Sequence, residues 1–422
     1  MKVLAGLGAA VLGATSGALA AEWIELTPAS GPVPPARELS TSIYDPASHR
    51  MLVFGGAGAS GNLNDVWAFD LTSHVWSNLT PAAGPMPGPR LTPVAVYDAA
   101  GGRMLVWSGR NGATFFNDVW AFDLTSATWT ELVAVGPEPN PRYGTASVFD
   151  PVAQDLVTFA GFTNAGRFED TWRLGTGAVA WTEVSMAATP GRRCLHSASY
   201  DIANRRMIVY GGQSSGPLGD IWALDLATNT WTDLTPASSP AARYFTTHAH
   251  DAMRGRALVF AGHLEPASSN EAWAFDLAAE TWQLLQPSGT PPSPRYGAAG
   301  IYVVTEDRMI VFGGTAVTFE NDVWSLDFAD PDGVVFPGPI TADGDDFRWT
   351  VPANMLFVRG DLGNVATYAH DVVDSAIHAT SFTDTAVPPA GSGYYYLVRL
   401  AGDRGTWQTA VHAEPQRDLS LP

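Results

Sequence analysis

At 422 residues, 46% of them hydrophobic, the chain has room for about two or three domains with sizeable cores. Its 42 glycines and 31 prolines suit many strands joined by turns rather than long helices. A net charge of −19 excludes the basic face that nucleic acid or an anionic membrane requires, and a single cysteine, Cys194, excludes an internal disulfide framework.

The first element in chain order is an apolar run. Lys2, the only lysine, precedes it, and it ends in Ala18-Leu19-Ala20, an A-x-A cleavage pattern. Residues 1–20 read as a secretory signal peptide cleaved near Ala20, so the protein is expected to be secreted, periplasmic or on the cell surface. No later run is long and apolar enough to span a bilayer, and no membrane insertion is expected. Without disulfides, stability must come from packing, and Cys194 reads as a small buried hydrophobe.

Three markers then recur six times. A glycine ends each apolar run: Gly56, Gly109, Gly161, Gly212, Gly262 and Gly314. A first tryptophan series is Trp67, Trp120, Trp172, Trp222, Trp273 and Trp324. A second, in "W-x-x-L/V", is Trp23, Trp76, Trp129, Trp181, Trp231 and Trp282. Each series advances by 50 to 53 residues, the signature of a repeat architecture. Each unit reads as four short strands, predicted in the first at about 39–44, 51–55, 65–70 and 75–79. In "LNDVWAFDL" (63–71), which returns as "FNDVWAFDL" (116–124), Trp67, Phe69 and Leu71 face one way and Val66 and Ala68 the other. Both faces are apolar, so this strand belongs to a sheet packed between two others, with Trp67 filling the wedge.

Six such sheets around an axis make a propeller. The sixth unit has "NDVWSLDF" (321–328) but no "W-x-x-L" strand after it, while Trp23 precedes the first full unit. The N-terminal strand is therefore expected to complete the sixth sheet and hide two strand edges. The double glycine, the "NDVW-x-FDL" strand and the "W-x-x-L" strand resemble the kelch repeat over about residues 22–328. The resemblance implies an all-β fold, a six-bladed kelch β-propeller over 21–332. Such propellers bind proteins, bind sugars or catalyse according to their loops.

Each unit also carries an arginine at the start of its first strand (Arg37, Arg90, Arg142, Arg193, Arg243 and Arg295). Each has an acid before its third strand (Asp65, Asp118, Asp170, Asp220, Glu271 and Asp322). Antiparallel pairing brings both to one end of the sheet. Two readings stand: an Arg–carboxylate pair tying each inter-sheet loop, or six guanidinium groups round a channel mouth that hold a carboxylate or sugar acid. The loops between strands two and three differ most between units, and a rigid scaffold places specificity there. Arg110, Phe116, Arg167 and His263 are candidate ligand contacts in those loops, beside the six arginines.

After Asp332 the repeat stops. Segments 347–351, 355–362, 378–385, 393–402 and 407–413 have strand character, and Trp349, "FVRG" and "YYYLVRLAGDRG" resemble a fibronectin type III domain. The resemblance implies a small β-sandwich over 333–422, a spacer or adhesion module. "DPDG" (330–333) and "DGDD" (343–346) read as acid-rich linker rather than calcium loops.

The expected function is binding of a protein or glycan ligand by the loops of one propeller face, by a monomer that uses no cofactor or metal. Two alternatives belong to other classes. Export, blade number and repeat resemble the bacterial sialic acid mutarotases, which implies a carbohydrate-active enzyme such as a mutarotase or epimerase working by acid and base. The architecture also resembles the galactose oxidases, and Cys194, His196, His248, His250 and His263 are residue types that copper favours. Those oxidases have seven blades, however, and His250 falls where other units carry Tyr44, Tyr97 and Tyr200.

Overall fold

A computed structural model describes residues 21–328 apart from position 187. It also describes the backbone of five later strands: Thr341–Asp343, Asp346–Asp361, His370–Thr383, Tyr394–Leu400 and Gln408–Thr409. The predicted signal peptide and the "DPDG" segment lie outside the described residues.

Burial follows from where each strand sits. Second strands such as Met51–Phe54 are buried at every position, because they lie mid-sheet and are covered on both faces. First strands such as Val94–Asp98 alternate buried and half-buried. Fourth strands such as Thr128–Glu131 bury only the tryptophan, as an edge does. In the first unit the strands are Thr41–Asp45, Arg50–Phe54, Val66–Asp70 and Val75–Asn78, within two residues of the predicted bounds. Their order in the sheet is their order in the chain.

The protein is all-β, with six such four-stranded antiparallel sheets in residues 21–328. Among the described residues there is no α-helix, only a 3₁₀ turn at Val304–Glu306. Sheet 6 contains Ala299–Val303, Arg308–Thr315 and Phe319–Phe328. Its fourth strand is Ala21–Glu25, antiparallel to the third, with Ala21 opposite Phe328 and Glu25 opposite Trp324.

Each apolar core lies between two neighbouring sheets, not inside one. Phe54 and Val66 of sheet 1 share a core with Phe122 and Trp129 of sheet 2, and Phe312 of sheet 6 shares one with Phe69 of sheet 1. The second tryptophan series supplies the contact. Trp129 packs on Phe54 (ring centroids 5.1 Å), Trp181 on Trp107 (5.0 Å) and Trp231 on Phe159 (4.8 Å). Trp282 packs on Tyr210 (5.0 Å), Trp23 on Phe260 (4.8 Å) and Trp76 on Phe312 (4.8 Å). Every pair joins one sheet to the previous one, and the last joins sheet 1 to sheet 6. Each aromatic pair of this kind is worth about 0.5–1.5 kcal/mol beyond its buried area. Trp67 lies in the same cores, but the ring-on-ring wedge contact belongs to Trp76 and its counterparts.

Backbone hydrogen bonds repeat the pattern. Thr92 donates to the Leu39 carbonyl (2.9 Å), Phe245 to Leu195 (3.0 Å), Gly297 to Phe245 (2.9 Å) and Leu39 to Gly297 (2.7 Å). These residues follow the repeat arginines by two and have positive φ. Beyond residue 340, the five strands form one antiparallel sheet. The segments predicted at 347–351 and 355–362 run as a single strand through Pro352 and pair with both His370–Thr383 and Tyr394–Leu400.

Candidate functional site

The repeat arginines are almost wholly buried. Arg37, Arg90, Arg142 and Arg243 are 0% exposed, and Arg193 and Arg295 are 1% exposed. Arg37 makes a two-pronged pair with Asp65 (2.7 and 2.8 Å), donates to the Gly55 carbonyl (3.0 Å) and reaches Pro35 O through Nε (3.0 Å). Asp65 also accepts from the Trp67 indole N–H (2.8 Å). The Arg–acid–Trp set recurs in every unit, through Asp118, Asp170, Asp220, Glu271 and Asp322. Burial pushes the Asp118 carboxyl up, but the hydrogen bonds and charge of Arg90 outweigh it and hold the group below its ordinary range; Glu271 is lowered in the same way against Arg243. The second glycine makes room for this tie. Gly56 sits at φ +94°, and a Cβ there would lie 2.5 Å from the Glu38 carbonyl oxygen.

Just outside these ties, the residue after each repeat arginine pairs with the first residue of its own unit's loop. The pairs are Glu38 with Ala57, Leu91 with Arg110, Tyr143 with Phe162, Cys194 with Gln213, Tyr244 with His263, and Tyr296 with Thr315. These pairs touch from unit to unit. The Arg110 guanidinium lies 4.4 Å from the Tyr143 ring centre, and Tyr143 meets Phe162 edge-on at 5.6 Å. Arg167 lies over Phe162 (5.7 Å) and donates to Gln213 (3.2 Å). Gln213 reaches Glu265 (3.4 Å), which accepts from the Tyr244 hydroxyl (3.0 Å). His263 sits between Tyr244 (5.2 Å) and Tyr296 (5.4 Å). Burial, then the Glu265 hydrogen bond and charge, pushes the Tyr244 hydroxyl up to about 12.

Three of the four predicted loop residues, Arg110, Arg167 and His263, therefore share one polar and aromatic surface. Phe116 does not join them. It covers Arg90 (4.0 Å), as Phe168 covers Arg142 (3.9 Å). Tyr143, Tyr244 and Tyr296 also belong to the surface, each directly after a repeat arginine at a position outside the variable loops.

The six first strands line an open cavity of about 310 Å³. Its walls include Tyr44, Tyr97, Phe149, Tyr200, Tyr302 and, in the same slot of unit 5, His250. The Tyr44 hydroxyl contacts His49 Nδ1 (3.0 Å), and His49 Nε2 contacts Glu306 (2.9 Å). Burial holds His248, also in the wall, down to about 3, and does the same to His196 with help from the Arg193 charge. The ring nitrogens of His196, His248 and His250 have no hydrogen-bond partner among the described residues. Cys194 is buried, and burial raises its thiol pKa. Among the described residues, no three of His, Cys, Asp and Glu gather as a metal site.

The sequence matches the KLHDC2/KLHL20/DRC7 kelch-repeats domain over residues 18–190 and 186–331. The chain belongs to the kelch-repeat family. Similar proteins include a leucine-zipper-like transcriptional regulator 1 homolog of Drosophila melanogaster, 28% identical over 282 residues, or 63% of this chain and 28% of that protein. The flagellar outer-arm dynein alpha chain of Chlamydomonas reinhardtii is 30% identical over 163 residues, 35% of this chain and 4% of that protein. Acyl-CoA-binding domain-containing protein 4 of Arabidopsis thaliana is 30% identical over 148 residues, 35% of this chain and 21% of that protein. This kelch chain thus spans less than a third of the length of these relatives, which share the repeat inside otherwise different proteins.

Proposed function

We propose that this protein is a non-enzymatic interaction module whose six sheets close into a kelch propeller, and that it holds a protein partner on the loop surface around Tyr143, Phe162, Tyr244 and Tyr296. Closure is supported by Trp23 on Phe260, Trp76 on Phe312 and the Leu39 hydrogen bond to Gly297. The observation that carries the binding role is the contrast on one end of the sheets. Six Arg–acid–Trp ties form a fixed frame, and above it the unlike residue pairs of units 2 to 6 join into one surface rich in tyrosine, arginine and phenylalanine, the types that carry binding energy at protein interfaces. The same surface can take the face of a glycan ring, but its continuity over five units suits a broad protein contact.

Export after cleavage near Ala20, action at the cell surface or periplasm as a monomer, and a fibronectin-like spacer role for residues 333–422 complete the proposal. A photo-crosslinking residue placed at Gln213 or His263 tests it, against one at Val152 or Ile202 in the opposite turns. Crosslinked partner protein is expected from the first two positions. Crosslinks from Val152 or Ile202 alone would overturn the assignment of the binding end.

A further inference from the structure

Residues 21–328 contain seventeen arginines. Fifteen of them have a carboxylate oxygen within 4.0 Å. Arg110 and Arg167 are the two without one among the described residues, in a chain whose acids outnumber its bases by 42 to 23. Both charges act on Tyr143, whose hydroxyl burial raises and these two guanidinium groups pull back down.

Each guanidinium is held by something other than an anion. Arg110 rests on the Tyr143 face, and its Nε has no hydrogen-bond partner. Arg167 lies over Phe162, makes one hydrogen bond to the neutral Gln213 side chain, and also leaves Nε unpartnered. Stacking fixes the plane of a guanidinium, and with Nε buried it is the terminal N–H groups that remain for a carboxylate. Glu265, an acid on this surface, is taken up by Tyr244 and Gln213 instead.

We propose that Arg110 and Arg167 form the anion-binding part of this surface and that the partner presents an acidic segment, an Asp or Glu side chain, to them. Tyr143 and Phe162 form the apolar floor under that segment. This rests on the protein-binding reading above and adds the partner's charge to it. It also moves the carboxylate-holding role expected of the six repeat arginines onto the two arginines that do not repeat.

The test uses the full-length mature chain and an array of twelve-residue peptides in which Asp- and Glu-containing sequences are matched by Asn and Gln controls. The expected result is binding of acidic members, at least tenfold weaker for their amide controls and for Arg110→Gln and Arg167→Gln, and weakened by salt. Arg103→Gln, which removes an arginine paired with Asp98 at the opposite end of its sheet, is expected to leave binding unchanged. Equal binding of acid and amide peptides, or indifference to both arginine substitutions, would overturn the anion site. If Tyr244→Ala then abolishes that binding, the protein-binding surface itself stands. Inorganic phosphate or sulfate competing as tightly as the peptides would mark a free-anion site and overturn the acidic segment. Absence of all peptide binding overturns the acidic segment too, and crosslinking at Gln213 and His263 then decides separately whether the surface binds protein.

Discussion

Arg90 and Arg110 stand twenty positions apart, and they show two uses of one residue type. Arg90 is wholly buried, holds Asp118 with both prongs (2.7 Å each) and has five counterparts. Arg110 is half-buried, lies on an aromatic ring and has no counterpart in any other unit. An ion pair repeated six times is architecture, because every sheet needs its inter-sheet loop anchored. A cation that appears once and stays unpaired serves something other than the fold.

The largest effect should come from breaking a tie. Asp118→Ala leaves the Arg90 guanidinium buried without its charge partner and frees the Trp120 indole N–H. Such a loss costs about 3–5 kcal/mol. Urea denaturation should show it as a lower midpoint with little change in slope. A cost under 1 kcal/mol would mean that Arg90 finds water or another acid, and the frame would be less rigid than its geometry implies.

The frame was legible in the sequence because it is periodic. Strand order brought arginine and acid to one end and left two readings, of which the buried pairs bear out the Arg–carboxylate tie; the role of Ala21–Glu25 followed from the missing sixth "W-x-x-L" strand. What stayed hidden depended on side-chain direction. Trp67 and Trp76 both repeat, and only the structure shows that Trp67 turns its N–H to Asp65 while Trp76 makes the aromatic contact with the neighbouring sheet. Phe116 looked unique among loop residues, yet it fills a slot that Leu63 and Phe168 share and lies flat on Arg90. The reverse error hid Tyr143, Tyr244 and Tyr296. The signal was present, since the position after the repeat arginine reads Glu38, Leu91, Tyr143, Cys194, Tyr244 and Tyr296. Nothing in one strand's sequence says that this position faces the loops.

A middle-sized effect should appear with pH, and it also belongs to the frame. His196 follows Arg193 by three residues, is 6% exposed and packs edge-on against Phe159 (5.5 Å). Its folded pKa of about 3 lies below the unfolded value of about 6.5. Between those values the unfolded chain binds the extra proton, so stability is full above about pH 6.5 and falls as pH drops towards 3. The slope from this residue is up to about 1.4 kcal/mol per pH unit, giving about 2–3 kcal/mol between pH 7 and 4.5. His196→Phe should flatten that part of the stability profile. An unchanged profile would place the acid sensitivity elsewhere, with His248 the next group to substitute.

The smallest effect on folding should come from the loop surface, and its smallness is the point. Arg167→Gln removes a cation that has no carboxylate partner and gives up one hydrogen bond to Gln213. The cost should stay within about 0.5 kcal/mol, as for surface substitutions away from caps and buried networks. Relief of repulsion between Arg110 and Arg167 should offset part of it. Measured beside Asp118→Ala in the same urea titration, the variant separates the two populations of arginine. A cost near that of Asp118→Ala would make Arg167 part of the frame and remove the reason for treating its bare charge as a binding group. A neutral or slightly stabilising result is expected of a residue kept at some cost to the folded chain, because a native protein with 42 acids against 23 bases has no folding reason to leave that arginine unpaired.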